Sequence, residues 1–113
     1  MRIAIVEDVA EQREQLRSYI QQYASEIDQT FEVITFSNGV DLLKDYTPQY
    51  DIILLDIEMP GLNGMEAAER LRSMDSDVVL MFVTNMAQYA INGYGVGALD
   101  FVLKPVNYYT FSV

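Results

Sequence analysis

The chain contains no cysteine and no histidine. The first absence excludes a disulfide framework and thiolate metal sites, and the second excludes imidazole catalysis and imidazole ligation. Ser, Thr, Tyr, Lys and carboxylates are left to do any chemistry. Positive charge is also scarce, with 7 basic residues against 17 acidic ones and a formal net charge of −10. A surface so acidic lacks the cationic face that grips a phosphate backbone, so direct nucleic-acid binding by this segment is not expected. No apolar run approaches the roughly 20 residues of a membrane span. Met1-Arg2-Ile3 leads straight into a strand rather than a signal peptide, so a cytoplasmic location without membrane contact is expected. Repeats, linkers and low-complexity tracts are missing too. At 113 residues, half of them hydrophobic, the chain reads as one domain with a core large enough to fold without staples.

What is present alternates short apolar runs with helical stripes. Ile3 to Val6 reads as a first strand that stops at Glu7-Asp8. From about Val9 to Ser25 the residues Leu16, Ile20, Tyr23 and Ile27 recur at helical spacing, with Glu11, Arg13, Glu14 and Arg17 on the wet side. Phe31 to Phe36 is β-branched and aromatic but carries Glu32 and Thr35, which suits a less buried edge strand. Ser37 is the expected cap of a short helix carrying Val40, Leu42 and Leu43, ended before Pro48. Asp51 to Leu55 is the central strand. Asn63 and Glu66 form a capping box that opens a helix with Met65, Ala68 and Leu71 inward. Val78 to Val83 is another buried strand, followed by a weaker helix over Ala87 to Asn92 that runs into Gly93, Gly95 and Gly97. Asp100 to Leu103 is the last strand. The order βαβαβαβαβ with short connections predicts parallel crossovers and a flavodoxin-like, doubly wound α/β sheet of order 2-1-3-4-5.

In such a sheet chemistry is done beyond the carboxyl ends of the strands. Glu7-Asp8, Asp56, Thr84 and Lys104-Pro105 all stand just past a strand, so three carboxylates, a hydroxyl and an ammonium converge on one edge. Lys104 is the only Lys or Arg after Arg72. Clustered carboxylates repel one another, and a hard divalent cation such as Mg²⁺ relieves the repulsion through carboxylate, carbonyl and water oxygens. Asp56, kept ionised, can then act as a nucleophile towards a phosphoryl group, with Thr84 and Lys104 placed to hold phosphoryl oxygens. Each residue alone has a plainer reading: Asp56 as a strand-end cap, Glu7-Asp8 as favourable charge at a helix start, Thr84 as a helix cap, Phe101 as core.

Taken together, Glu7-Asp8, the run Leu54-Leu55-Asp56-Ile57-Glu58-Met59-Pro60-Gly61-Leu62-Asn63-Gly64, Thr84, and Asp100-Phe101-Val102-Leu103-Lys104-Pro105 resemble a response-regulator receiver domain over the whole chain. The resemblance implies that Asp56 is the phosphoacceptor, served by a sensor histidine kinase in a two-component system. It implies Mg²⁺ bound by Asp8, Asp56 and the backbone carbonyl of Glu58, with Glu7 acting mainly through water. Thr84 and Phe101 correspond to a switch pair, the Lys104-Pro105 bond is expected to be cis, and the output face is the fourth helix with the fifth strand. Tyr89-Ala90 and the stretch from Gly97 to Val106 are similar to the subfamily with a LytTR-type DNA-binding output. That similarity implies a C-terminal output domain that controls transcription. A second copy of the chain is a further expected partner. The chain departs from the family at Asn85, which is bulkier than the small residue usual beside the threonine.

Residues 107–113 look like the start of a fifth helix, with Asn107 as its cap. Seven residues fall short of a full helix, so residues 1–113 are expected to be the N-terminal receiver part of a longer regulator. Self-assisted phosphorylation and dephosphorylation, rather than turnover of an external substrate, is the expected activity. The alternatives are a pseudo-receiver that only docks to other proteins and a small aspartate-nucleophile phosphatase. The first would normally have lost Asp56 or Lys104; the second wants an aspartate where Glu58 stands.

Overall fold

The computed structural model describes residues 1–56, 61–62, 64–84 and 100–103; for Thr84 and residues 100–103 it describes the backbone. Among the described residues five strands and three helices follow in the order β1 (Arg2–Val6), α1 (Ala10–Glu26), β2 (Glu32–Phe36), α2 (Gly39–Leu43), β3 (Ile52–Leu55), α3 (Gly64–Met74), β4 (Val79–Thr84) and β5 (Asp100–Leu103). The strands form one sheet of order β2-β1-β3-β4-β5, parallel throughout, as the sequence pattern predicts. The expected fourth helix, Gly93, Gly95, Gly97, Asn85, the Lys104-Pro105 bond and the fifth-helix segment lie outside the described residues.

The strands are apolar without alternation because both faces of the sheet are covered, yet the period of two still sorts their side chains. Ala4, Val6, Ile53, Leu55, Leu80 and Phe82 pack on one side with Leu42 of α2 and Ala67, Ala68 and Leu71 of α3. Ile3, Ile5, Leu54 and Val83 pack on the other with Leu16 and Ile20 of α1. β2 has no fully buried residue, in keeping with its edge position.

Local details correct several expectations. The cap of α2 is Asn38, not Ser37: its side-chain oxygen accepts from the Asp41 N–H at 2.8 Å. Its amide in turn donates to the Asp41 carboxylate at 3.1 Å. Capping from Ser37 would put Val40 at the answering position, with no polar group to offer. Val40 itself is 58 % exposed, so α2 buries Leu42 and Gly39 and no other residue. In α1 the inward stripe is Leu16, Ile20 and Ala24, while Ile27 is 41 % exposed at the C-cap. Ala68 and Leu71 of α3 are buried as expected, Met65 is partly buried, and Asn63 lies outside the described residues.

The end of α1 explains why Ile27 leaves the stripe. Asp28 has φ 55°, its N–H donates to the Ser25 carbonyl at 3.2 Å, and the Gln29 N–H donates to the Ala24 carbonyl at 2.8 Å. This pair of bonds is a Schellman closure, whose left-handed position suits glycine. Asp28 also sets a negative charge at the negative end of the helix dipole, and no basic residue stands in the last turn. Asp28→Gly should therefore stabilise the domain by about 0.5–1 kcal/mol, read as a higher midpoint in urea with an unchanged slope.

A second polar device ties the α2–β3 connection to the start of β4. The Tyr46 hydroxyl donates to the buried Asp75 carboxylate at 2.7 Å, and Asp75 also accepts from the N–H groups of Asp77 and Val78. Burial, then the hydrogen bond to Asp75, pushes the Tyr46 phenol well above its ordinary value of 10.0. A raised value means that the folded state favours the neutral phenol. The resulting stability is present below pH 10 and drains away as pH climbs from there towards the folded value. Tyr46→Phe should cost about 1–2 kcal/mol at pH 7, with the gap from the parent narrowing above pH 10 in urea titrations.

Candidate functional site

The carboxyl edge of the sheet is built by the two ladders that flank β1. Val6 is in register with Phe36 of β2 and with Leu55 of β3. Each ladder continues one bond further: the Glu7 N–H donates to the Phe36 carbonyl at 3.1 Å, and the Asp56 N–H to the Val6 carbonyl at 3.0 Å. The backbones of Glu7 and Asp56 are thus fixed side by side by sheet hydrogen bonds rather than left on free loops. Asp8 follows immediately, before α1 opens at Ala10.

The side chains converge accordingly. Glu7, Asp8 and Asp56 each offer a carboxylate oxygen, and these oxygens lie within 4.8 Å of one another. Glu7 is wholly buried, Asp56 is 5 % exposed, and Asp8 is half-buried at the opening. The Glu7 Oε1 accepts from the Val9 N–H at 3.2 Å, which folds the acidic turn back on itself. Like charges this close repel one another, and a nearby cation relieves the repulsion. The donor set is all hard oxygen, two thirds of it withdrawn from water, and this suits a small divalent cation that keeps some waters of its own.

Of the other residues singled out from the sequence, Thr84 closes β4 with its backbone in register with Leu103. Phe101 lies in β5 in register with Phe82. Glu58, Lys104 and Pro105 lie outside the described residues. One residue at the site was placed wrongly by pattern alone. Arg13, expected on the wet face of α1, is half-buried and donates through Nη1 to the Glu7 backbone carbonyl at 2.8 Å. A cation near a helix N-terminus runs against the dipole, and that mismatch is the signal available in the sequence.

Residues 3–111 match the response regulator receiver domain family, and the chain belongs to it. It is therefore a receiver domain of the two-component type. Among its relatives is the sensory transduction protein LytT of Oceanobacillus iheyensis, 32% identical over 113 residues, which cover 98% of this chain and 45% of that protein. Another is the cyclic di-GMP phosphodiesterase response regulator RpfG of Xanthomonas campestris, 32% identical over 94% of this chain and 28% of that protein. The chain spans less than half the length of these curated relatives. Among solved structures, the response regulator TrrA of Thermotoga maritima in complex with Mg²⁺-BeF is 31% identical with a TM-score of 0.81, covering 95% of this chain and 89% of that one. The response regulatory domain of mrkE from Klebsiella pneumoniae is 26% identical with a TM-score of 0.85, over 99% of this chain and 89% of that one. No helix among the described residues is long and apolar enough to cross a membrane.

The geometry makes one prediction that is independent of any ligand. Neutralising Asp8, the least buried of the three acids, relieves two repulsions and leaves the sheet ladders untouched. Asp8→Asn should raise stability in chelator-treated buffer by about 1 kcal/mol, seen as a higher thermal midpoint. A lower midpoint would mean that the Asp8 carboxylate is held by attractive contacts instead.

Proposed function

We propose that this domain is switched by transfer of a phosphoryl group from a sensor histidine kinase to Asp56. The observation that carries the reading is the gathering of the Glu7, Asp8 and Asp56 carboxylates within 4.8 Å at the carboxyl edge of a receiver-family sheet. An Asp56 carboxylate oxygen would form the new O–P bond while the P–N bond of a phosphohistidine breaks, its electron pair returning to the imidazole nitrogen. Asp8, Asp56 and the Glu58 carbonyl would hold Mg²⁺, with Glu7 acting through water. That ion would supply positive charge against the carboxylates and the phosphoryl oxygens. Thr84 would donate a hydrogen bond to one phosphoryl oxygen and Lys104 would pair with another, so positioning and charge neutralisation carry the reaction. The magnesium-bound relative TrrA supports the choice of cation.

The consequence of the added charge would be a two-state change: Thr84 moves towards Asp56, Phe101 turns inward, and the face made by the fourth helix and β5 is remodelled. We read residues 1–113 as the receiver portion of a longer cytoplasmic regulator, a reading supported by the length of its relatives. Kinship with LytT favours a DNA-binding output that controls transcription, and RpfG is a relative whose name carries a different activity. The domain itself would turn over no external substrate.

Intact-mass spectrometry with acetyl phosphate tests the reading directly. The parent chain should gain one phosphoryl group in the presence of Mg²⁺ and none in chelator, while Asp56→Asn should gain none under either condition. Asp8→Ala should slow the gain by at least about tenfold through lost cation affinity. An Asp56→Asn chain that still gained the mass would move the acceptor elsewhere. A parent chain that never gained it would leave a domain that works by docking alone.

A further inference from the structure

The acidic turn between β1 and α1 is held by hydrogen bonds from the backbone ladder, from the turn itself and from α1. The Glu7 N–H is fixed by Phe36, Glu7 Oε1 receives the Val9 N–H, and the Val9 carbonyl receives the Arg13 N–H at 2.9 Å as the first bond of α1. Another is the Arg13 guanidinium on the Glu7 carbonyl at 2.8 Å, a side chain that reaches this turn from the helix. The carbonyl it holds belongs to the peptide that joins Glu7 to Asp8. A peptide is planar, so its oxygen direction and the Cα of the next residue move as one rigid unit. Fixing the Glu7 oxygen therefore fixes where the Asp8 side chain leaves the backbone.

We infer that Arg13 is a positioning residue for the cation site, setting the Asp8 carboxylate through the Glu7–Asp8 peptide. The inference rests on the cation-binding reading above and adds to it a residue that touches neither cation nor phosphoryl group. Two effects of Arg13 oppose each other. Its charge, held on the carbonyl of Glu7, repels an incoming cation, so removing it should tighten binding if charge were its whole role. Its hydrogen bond holds a ligand in place, and ligand sets tolerate displacements of only about 0.5 Å. A charge-assisted hydrogen bond to the carbonyl of a buried residue outweighs a charge that is partly screened by solvent, so the positioning role should win.

The test is calorimetric titration with Mg²⁺ alone on the parent chain and on Arg13→Met, Arg13→Gln and Arg13→Lys, each first shown to melt cooperatively. Met keeps the apolar stem and loses both charge and donor. Gln loses the charge and is too short to span from helix to carbonyl, and it keeps the comparison available should Met fail to fold. We expect affinity to fall about tenfold in Met and Gln and to recover to within about threefold of the parent in Lys, which restores a donor. Unchanged or tighter binding in a folded Met or Gln variant overturns the inference and leaves the cation site standing. A parent chain that binds no Mg²⁺ overturns the cation reading, and this inference with it.

Discussion

Everything at the carboxyl edge depends on β1 being paired on both sides. Its neighbours β2 and β3 are held in fixed parallel register, and the same ladders run on to fix the backbones of Glu7 and Asp56. Two acidic groups separated by nearly fifty positions in sequence thus stand beside each other. The sheet, not mutual attraction, brings them together; their charges oppose the arrangement. The core supplies the opposing free energy, with Ile3, Ala4, Ile5 and Val6 all buried and packed alternately against α1 and against α2 and α3.

The two ends of the sheet are built on different terms. At the amino edge the carboxylates of Asp51 and Asp75 have hydrogen-bond donors. The Asp51 carboxylate accepts from the Arg2 N–H at 2.8 Å, while its own backbone bonds to Arg2 and to Val79 and joins β1 to β4. Asp75 accepts from Tyr46 and two backbone N–H groups, and Arg72 reaches the Val78 carbonyl at 2.6 Å. At the carboxyl edge three acids face one another. A satisfied network at one end gives the sheet a fixed register, and the carboxylates crowded at the other form an acidic pocket whose charge a cation would offset.

How much of this was readable from the chain follows from the range of each interaction. The strands and the order 2-1-3-4-5 were visible because double-sided burial demands continuous apolar runs, and Ile3 to Val6 and Asp51 to Leu55 supply them. The three carboxylates were visible because parallel topology alone puts strand ends on one edge. The cap of α2 was misplaced because Ser37 and Asn38 are both good caps, and the choice turned on an answering Asp41 three residues beyond Asn38. Ile27 was misplaced because helical spacing does not reveal where a helix closes, and the closure rests on Asp28 adopting a conformation usually left to glycine. The Tyr46–Asp75 bond spans 29 positions and leaves no periodic trace.

Arg13 shows where the boundary between pattern and structure lies. A hydrophobic stripe assigns it to the solvent side, yet the side chain is half-buried. The long, flexible stem then lets the guanidinium leave the position its backbone implies and reach back six residues to the Glu7 carbonyl. Short side chains such as Asp8 and Asp56 stay where the sheet puts them, so topology locates them well. Long cationic ones decide their own end-point by whichever acceptor is nearest. In a domain with only 7 basic residues, each such end-point weighs heavily on the field around the acids. Arg13 ends on the peptide that joins two of those acids, so one contact couples the first turn of α1 to the acidic edge.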